Sequence, residues 1–335
     1  MIWSKRTLLG ATVGLIAATS VVPARAEGTI RILEQFGISY LPLYVIRDQD
    51  LLAKHGKPLG VDIKTEWTKV SGGAAANDAL LSGSVDVVTA GLGPLLTIWD
   101  RTKGNADVRG IAALAEINFA LLTSNPKVSR IEDFSAADRI AVPSVRVSIQ
   151  ARALQIAAAK AFGQKEFAKL DPLTVSLPHP DSTQALISKN GTITAYFSNA
   201  PYQQQALKEP GIRRVTDWYS IIGGPTTSVL LYTRAAFRNE NPKTYRAFLA
   251  ALDEAVAFVN DKPEAAIDTY IRVSQSKLDK AFLLDILKSP DVTFSTTPRN
   301  TIAFARFLHE FGALKNAPKD WREFFFDDVH ERKGS

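Results

Sequence analysis

The sequence predicts an α/β protein of two domains, each built on a mixed sheet flanked by helices. Short apolar runs of strand length alternate with longer runs of helical period over most of the chain. The 309 residues from Glu27 to Ser335 also exceed the size at which a single hydrophobic core keeps growing. Two α/β units with a cleft between them, followed by a helical tail, are therefore predicted.

Residues 1–26 have the composition of a cleavable export signal. Lys5 and Arg6 precede an apolar run over residues 8–22, and residues 24–26 form a small-residue cleavage site. The basic pair resembles a twin-arginine signal with lysine in the first place, and the general secretory route is the alternative. A periplasmic protein is predicted.

Composition excludes several classes of site. The chain has no cysteine, so disulfides, thiolate metal ligands, cysteine nucleophiles and a lipid-anchored cysteine are all excluded. Its four histidines lack metal-ligand spacing, and no metal or cofactor is predicted. Lys5, Arg6 and Arg25 supply three of the six net positive charges, which leaves +3 and no nucleic-acid signature.

The stretch over residues 80–94 combines a helix end, a buried strand and a new helix start. Gly83 suits the left-handed end of a helix, and residues 85–90 form a short apolar strand. Gly91 and Gly93 then make a tight turn before Pro94, which suits the first position of a helix. The N–H groups of such a helix start point over the strand end, where ligands bind in open α/β sheets.

The other helices and strands are predicted from the spacing of apolar residues and from the positions of helix-breaking residues. Predicted strands cover residues 29–35, 61–67, 85–90, 108–114, 119–124, 139–143, 173–177 and 193–197. Predicted helices cover residues 41–54, 74–81, 95–103, 149–162, 244–259, 263–274, 277–287, 301–311 and 321–326. The last five make up the helical tail, which we assign to the first domain.

An internal echo suggests two similar halves. The sequence over residues 79–82 recurs over residues 185–188, and each copy leads to a glycine, a short strand and a helix opening at proline, Pro94 or Pro201. The alternative is that any two helix–strand–helix units look alike. The chain is expected to cross between domains near residues 115–118 and 222–228. This gives a discontinuous first domain, residues 27–115 and 229–335, and a second domain, residues 116–228, with a hinge between them.

The order of these motifs resembles the periplasmic substrate-binding proteins of ABC importers for nitrate, sulfonates and taurine, the NMT1-like family. The resemblance rests on residues 36–40, 71–73, 85–94, 139–143 and 318–321. It implies a two-domain periplasmic binding protein of type II-like fold that closes as a monomer on a small ligand. The implied partners are an ABC permease and its ATPase, without catalysis. The chain departs from the family pattern at Ser144–Ser148, Thr194 and Ala200, so the resemblance does not identify the ligand.

Candidate ligand residues lie at the strand-to-helix junctions and crossings. Glycines there expose backbone, rings could flank an apolar ligand body, and Arg146 could clamp a carboxylate or sulfonate. For the rings the alternative is core packing, and for Arg146 it is a surface position near a helix cap. The predicted set is Phe36, Gly37, Ser39, Tyr40, Gly72, Gly91, Gly93, Asn118, Ser144, Arg146, Ser148, Phe197, Asn199 and Thr226.

The predicted ligand is a small organic anion with an apolar or aromatic portion. The alternative is a cationic ligand, which Glu34 or Glu116 would favour if its side chain points into the cleft. One alternative function is an enzyme on the same scaffold, because the family resembles a fungal thiamine-pyrimidine synthase and a bacterial aryl-sulfinate desulfinase. Both of those enzymes depend on cysteine-containing motifs, which this chain lacks. Another alternative is a ligand-sensing partner of a membrane receptor.

Overall fold

The structure is a computed structural model that describes residues 27–335, and the predicted export signal, residues 1–26, lies outside the described residues. The strands are β1 Thr29–Glu34, β2 Lys64–Lys69, β3 Val87–Gly91, β4 Val108–Ile117, β5 Ala120–Thr123, β6 Ile140–Val142, β7 Thr174–Ser176, β8 Ala195–Phe197, β9 Arg213–Asp217, β10 Val229–Arg234 and β11 Val292–Phe294. The α-helices are α1 Leu41–Asp48, α2 Leu51–Gly56, α3 Gly73–Leu81, α4 Leu92–Thr102, α5 Ile149–Phe162, α6 His179–Ser188, α7 Tyr202–Leu207, α8 Trp218–Ile222, α9 Ala235–Glu240, α10 Pro242–Asp261, α11 Pro263–Ser274, α12 Lys280–Leu287 and α13 Thr301–Glu310. Short 3-10 helices include Ile38–Tyr40 and Trp321–Phe324.

The strands form two mixed sheets. The first has the order β2-β1-β3-β10-β4-β11, with β10 antiparallel to both β3 and β4. The second has the order β7-β6-β8-β5-β9, with β5 antiparallel to both β8 and β9. In each sheet, one edge consists of three parallel strands, β2-β1-β3 or β7-β6-β8. The strand next to them in the sheet, β10 or β5, is antiparallel to its neighbours. This shared order confirms the predicted internal duplication of architecture.

The chain passes between the two sheets twice. β4 ends at Ile117 and β5 begins at Ala120, so the first crossing consists of two residues. The second crossing runs from the end of α8 at Ile222 to the start of β10 at Val229. Below, the first half means the residues around the first sheet, and the second half those around the second sheet. The domain boundaries after residues 115 and 228 remain a prediction, and β4 continues two residues beyond the first of them.

Several predicted helix boundaries were wrong. The helix expected over residues 277–287 begins only at Lys280, and the helix expected over residues 321–326 is a 3-10 helix, Trp321–Phe324. The single helix expected over residues 41–54 is two helices, because Asp50 has a left-handed φ of 49°, which interrupts the helical hydrogen-bond ladder. Aspartate is among the non-glycine residues that adopt this conformation most readily. The helix expected to open at Pro94 begins two residues earlier, at Leu92.

The helical tail covers the first sheet and also reaches the second half. α10 packs on α1 and α2, and α11 packs on α1, with Phe248 fully buried in that core. In α13, Phe304 lies edge-on to Trp218 of the second half, with ring centroids 5.4 Å apart. Phe311 stacks on Phe167 at 5.0 Å. Assignment of the whole tail to the first half therefore leaves out these contacts. No helix within residues 27–335 is long and apolar enough to cross a membrane.

Candidate ligand-binding site between the two sheets

Strand-to-helix junctions from both halves face one another. In a parallel set, the carboxyl ends of the strands lie at the same edge of the sheet. From the first half, the start of α3 and the turn between β3 and α4 meet residues 143–149 at the start of α5, and the turn after β1 meets residues 199–202 before and at the start of α7. Three of these helices, α3, α4 and α5, have at least nine residues and begin at this surface.

Four glycines allow the halves to approach closely. A Cβ atom on Gly72 would lie 2.2 Å from Ser144 Oγ, and one on Gly37 would lie 2.7 Å from the Ala200 carbonyl oxygen. The corresponding distances are 2.8 Å from Gly93 to the Val147 carbonyl oxygen and 2.9 Å from Gly91 to Ile149 Cγ2. These are closer than side chains tolerate, so glycine is required for this contact.

Hydrogen bonds join the halves at the same surface. The Ile38 amide donates to the Ala200 carbonyl at 3.1 Å. The Asn199 side-chain amide donates to Ser39 Oγ at 3.1 Å, and the Ala74 amide donates to Ser144 Oγ at 3.3 Å. The halves are thus in direct contact around the junctions.

The contact encloses a cavity of about 30 Å³, room for one or two water molecules. We call it the first cavity. It is lined by Gln35, Tyr40, Gly73, Gly91, Pro94, Pro143, Ser148, Ile149, Gln150, His179, Asn199 and Val229. None of these side chains is an aspartate, glutamate, lysine or arginine, and both halves contribute. The lining therefore offers neutral hydrogen-bonding groups to an occupant.

The structure brings part of the predicted set to this cavity. Tyr40, Gly91, Ser148 and Asn199 line it. The predicted residues in the surrounding contact between the halves are Gly37, Ser39, Gly72, Gly93 and Ser144. Ser148 also caps α5, because its hydroxyl oxygen accepts a hydrogen bond from the Ala151 amide at 3.2 Å.

Other predicted residues lie elsewhere. Arg146 has a side chain that is 71% exposed, and its Nε lies 3.4 Å from a carboxylate oxygen of Asp171. Phe197 is fully buried in the core of the second half and packs on Phe119, with ring centroids 5.4 Å apart. Phe36 lines a different cavity, described below.

Asn118 and Thr226 belong to the two crossings. The Asn118 side-chain amide donates to Asp291 Oδ1 at 3.1 Å, and its oxygen accepts from the Tyr219 amide at 3.0 Å. Thr226 Oγ1 donates to the Gly224 carbonyl at 3.1 Å. Both side chains hold crossing backbone in place.

Neither acid that would favour a cationic ligand lines the first cavity. Glu116 is buried and pairs with Arg299 at 3.0 Å. Glu34 is buried and pairs with Lys69 at 3.2 Å. Burial raises the pKa of Glu34, and the two nearby cations, Lys69 and Arg47, oppose that rise.

Sequence reasoning missed three polar residues of the first cavity. Gln35 holds two parts of the site together: its side-chain oxygen accepts from the Gly72 amide at 2.9 Å, and its amide donates to the Thr89 carbonyl at 3.3 Å. Gln150 is the second residue of α5, and His179 is the first residue of α6. The position of His179 in the sequence could have identified it. It begins a helix shortly after a short parallel strand, as do the predicted ligand residues at the other strand-to-helix junctions.

His179 is buried and neutral. Its Nδ1 atom is hydrogen-bonded to the Tyr196 hydroxyl, and its ring stacks on Tyr202 with centroids 5.9 Å apart. Burial lowers the pKa of His179 to about 3.

This burial predicts a pH dependence of stability. An unfolded histidine has a pKa of about 6.5, so below that pH the unfolded chain binds a proton that the folded chain does not. The free energy of unfolding should therefore decrease as the pH is lowered, by up to about 1.4 kcal/mol per pH unit from this group, or about 2 kcal/mol in total between pH 7.5 and 5.0. Urea denaturation at pH 7.5 and 5.0 measures it. His179→Gln should lose this component and His330→Gln should retain it; equal losses in wild type and His179→Gln would contradict the assignment.

Within residues 27–335, no group of three or more histidine, aspartate or glutamate side chains is arranged to hold a metal ion.

Comparison with known proteins gives a family and a fold. The model of the NMT1-like family matches residues 36–272. No curated protein sequence matches the chain significantly.

Among solved structures, the nitrate-binding protein NrtA from Synechocystis has a TM-score of 0.71 at 16% identity, over 91% of this chain and 88% of that protein. The alkanesulfonate-binding protein SsuA from Xanthomonas axonopodis, bound to MOPS, has a TM-score of 0.69 at 18% identity, over 87% and 96%. The aliphatic sulphonate-binding protein SsuA from Escherichia coli gives 0.65 at 18% identity, over 91% and 100%. These similarities confirm the predicted two-domain periplasmic-binding-protein fold.

Proposed function

The chain belongs to the NMT1-like family, and from that premise we propose that it is the periplasmic solute-binding component of an ABC importer. It captures a small organic anion between its halves and delivers it to a permease and its ATPase at the inner membrane. One observation carries this proposal: glycine-bearing junctions from both halves meet around a small, buried, uncharged polar cavity.

The electrostatics of the first cavity favour an anion. α3, α4 and α5 begin at it, and each helix N-terminus contributes about 0.3–1 kcal/mol to a nearby negative group, or about 2 kcal/mol when partly buried. No carboxylate lines the cavity to repel such a group. A sulfonate-like or carboxylate-like head with an apolar or aromatic portion fits this arrangement, because Tyr40, Ile149 and Val229 supply apolar surface beside the polar groups.

Capture requires the halves to separate. A space of about 30 Å³ admits water and no organic ligand, so binding takes place in an opened form that then closes. The second crossing has the backbone for this motion. Gly223 and Gly224 have φ values of 97° and 137°, and nothing lies within 4 Å of their Cβ positions. Two crossings, the second of which contains these glycines, make a hinge.

We assign ligand contact to the polar residues that line the first cavity. They are Gln35, Tyr40, Ser148, Gln150, His179 and Asn199. The glycines permit closure, whereas Asn118 and Thr226 act at the crossings. Residues 27–115 with 229–335 form one domain of this monomer, and residues 116–228 form the other.

No catalytic step is proposed. The similar structures named above are binding proteins, and the Ser148 hydroxyl donates to the Ser144 carbonyl at 2.8 Å rather than to a base. A ligand-sensing partner of a membrane receptor would use the same closure, and it differs from an importer only in its partner.

The test is identification of the ligand followed by calorimetry. Protein purified from periplasm is analysed by native mass spectrometry, and the co-purifying compound is then titrated alongside methanesulfonate, MOPS, nitrate and benzoate. We expect an organic anion to bind and to reduce the radius of gyration measured by small-angle scattering. Asn199→Ala should weaken binding by about tenfold, the loss of one or two buried hydrogen bonds.

Arg146→Ala is the control, because its side chain lies outside the first cavity. It should leave the affinity unchanged. A co-purifying cation, an unchanged radius under saturating ligand, or a new product formed from the ligand would overturn the proposal.

A further inference from the structure

A second cavity lies beside the first. Its volume is about 300 Å³, within the range of small-molecule sites. Phe36, Gly37 and Tyr44 of the first half form one side, and Tyr202 of the second half forms the other. The loop between α11 and α12 borders it with Ser276 and Lys277.

The two cavities are separated by protein. Between them, the Ile38 amide donates a hydrogen bond to the Ala200 carbonyl, and the Asn199 side-chain amide donates one to Ser39 Oγ. The linings share no residue. The second cavity therefore has chemistry of its own.

That chemistry is aromatic and positively charged. Lys69 lies in the lining with its ammonium 5.5 Å from the Phe36 ring centroid and 5.4 Å from that of Tyr44. Tyr44 and Tyr270 bring two rings to the same wall, with centroids 5.8 Å apart. Such rings suit a flat apolar body, and the ammonium suits a negative head group.

The charges around the cavity do not cancel. Glu34 is the acid beside Lys69, at 3.2 Å, and it also lies 3.9 Å from Arg47. Lys277 is exposed at the rim, and among the described residues it forms no ion pair. The lining itself holds two lysines, Lys69 and Lys277, and no aspartate or glutamate, so its own charge is positive.

We propose that the second cavity binds a second small organic anion, one that carries an aromatic ring. The ring lies among Phe36, Tyr44 and Tyr202, and the anionic group lies between Lys69 and Lys277. Both halves contribute walls, so the site is complete only when the halves are in contact. Its occupant therefore favours the closed arrangement and raises the affinity of the first cavity for its own ligand.

Benzenesulfonate is the probe, and benzylammonium is its counterpart of opposite charge. Calorimetry should detect benzenesulfonate binding and no benzylammonium binding. Lys277→Ala should weaken benzenesulfonate binding by about three- to fivefold, the effect of one exposed charge. Ser276→Trp, which places a bulky ring in the cavity from an exposed loop, should abolish it. Lys280→Ala is the matched control, because this nearby exposed lysine pairs with Asp268 and lies outside the lining.

Three results would overturn the proposal. The first is tighter binding of benzylammonium than of benzenesulfonate. The second is benzenesulfonate binding that both loop variants leave unchanged and Gln150→Leu removes, which would place the probe in the first cavity and leave the proposed function intact. The third is no benzenesulfonate binding by a protein that still binds its co-purifying ligand.

Discussion

Replacing Gly93 by alanine is expected to weaken ligand binding by about ten- to a hundredfold while leaving the folded halves intact. Gly93 lies in the first turn of α4 without a left-handed φ, so alanine suits its backbone at least as well as glycine. In the closed arrangement, however, the new Cβ would lie 2.8 Å from the Val147 carbonyl oxygen and 3.3 Å from Arg152 Cγ. Overpacking of this kind costs about 1–3 kcal/mol, and each 1.4 kcal/mol is a factor of ten in affinity.

Calorimetry with the co-purifying ligand measures the loss, and urea denaturation of the ligand-free protein measures stability. Arg101→Ala, an exposed position on the same helix, is the matched control and should change neither quantity. An unchanged affinity in Gly93→Ala would show that the ligand-bound protein does not reach the contact described above. A large loss of stability would instead show that the substitution damages the fold.

Replacing Asp86 by alanine is expected to lower the free energy of unfolding by about 3 kcal/mol, the lower end for a broken buried ion pair because Arg31 is partly exposed. Asp86 precedes β3 and is 6% exposed. Its carboxylate accepts from the Arg31 amide and Nε, both at 2.9 Å, and from the Arg31 terminal nitrogen at 2.6 Å. The same residue's carbonyl accepts from Thr233 Oγ1 of β10 at 2.5 Å. Asp86 therefore ties three strands of the first sheet together.

Urea denaturation at pH 7 measures this effect. Asp268→Ala is the control, because its pair with Lys280 is about half exposed on both sides and should contribute less than about 1 kcal/mol. Losses of the same size in the two variants would mean that the Asp86 network is screened like a surface pair.

Much of the fold was available from local patterns. The helices over residues 149–162 and 263–274 have the predicted bounds, because an apolar stripe, a serine cap before the first and a proline at the start of the second define them locally. Glycines at the junctions indicated where strands end and helices begin, and these positions form the contact between the halves. The absence of cysteine is a property of the sequence alone.

Nonlocal pairing was not available. β10 lies in the middle of the first sheet between β3 and β4, yet more than a hundred residues separate it from β4. The polar strand β9 was missed as well, because it borders the sheet on one side only and carries few apolar residues. Tertiary packing decides which strands pair, and the spacing of apolar residues along the sequence does not reveal those partners.

The sequence by itself determined the α/β alternation, the doubled architecture, the two crossings and the glycine-bearing junctions. Only the tertiary structure decided which side chains face the ligand space. Arg146 and His179 stand at similar junctions, yet the arginine points to solvent and Asp171 whereas the histidine lines the first cavity. The physical reason is that one backbone dihedral, such as the left-handed φ of 59° at Arg146, redirects a side chain without changing the local pattern. Which direction is buried depends on the opposite half, and that half is distant in sequence.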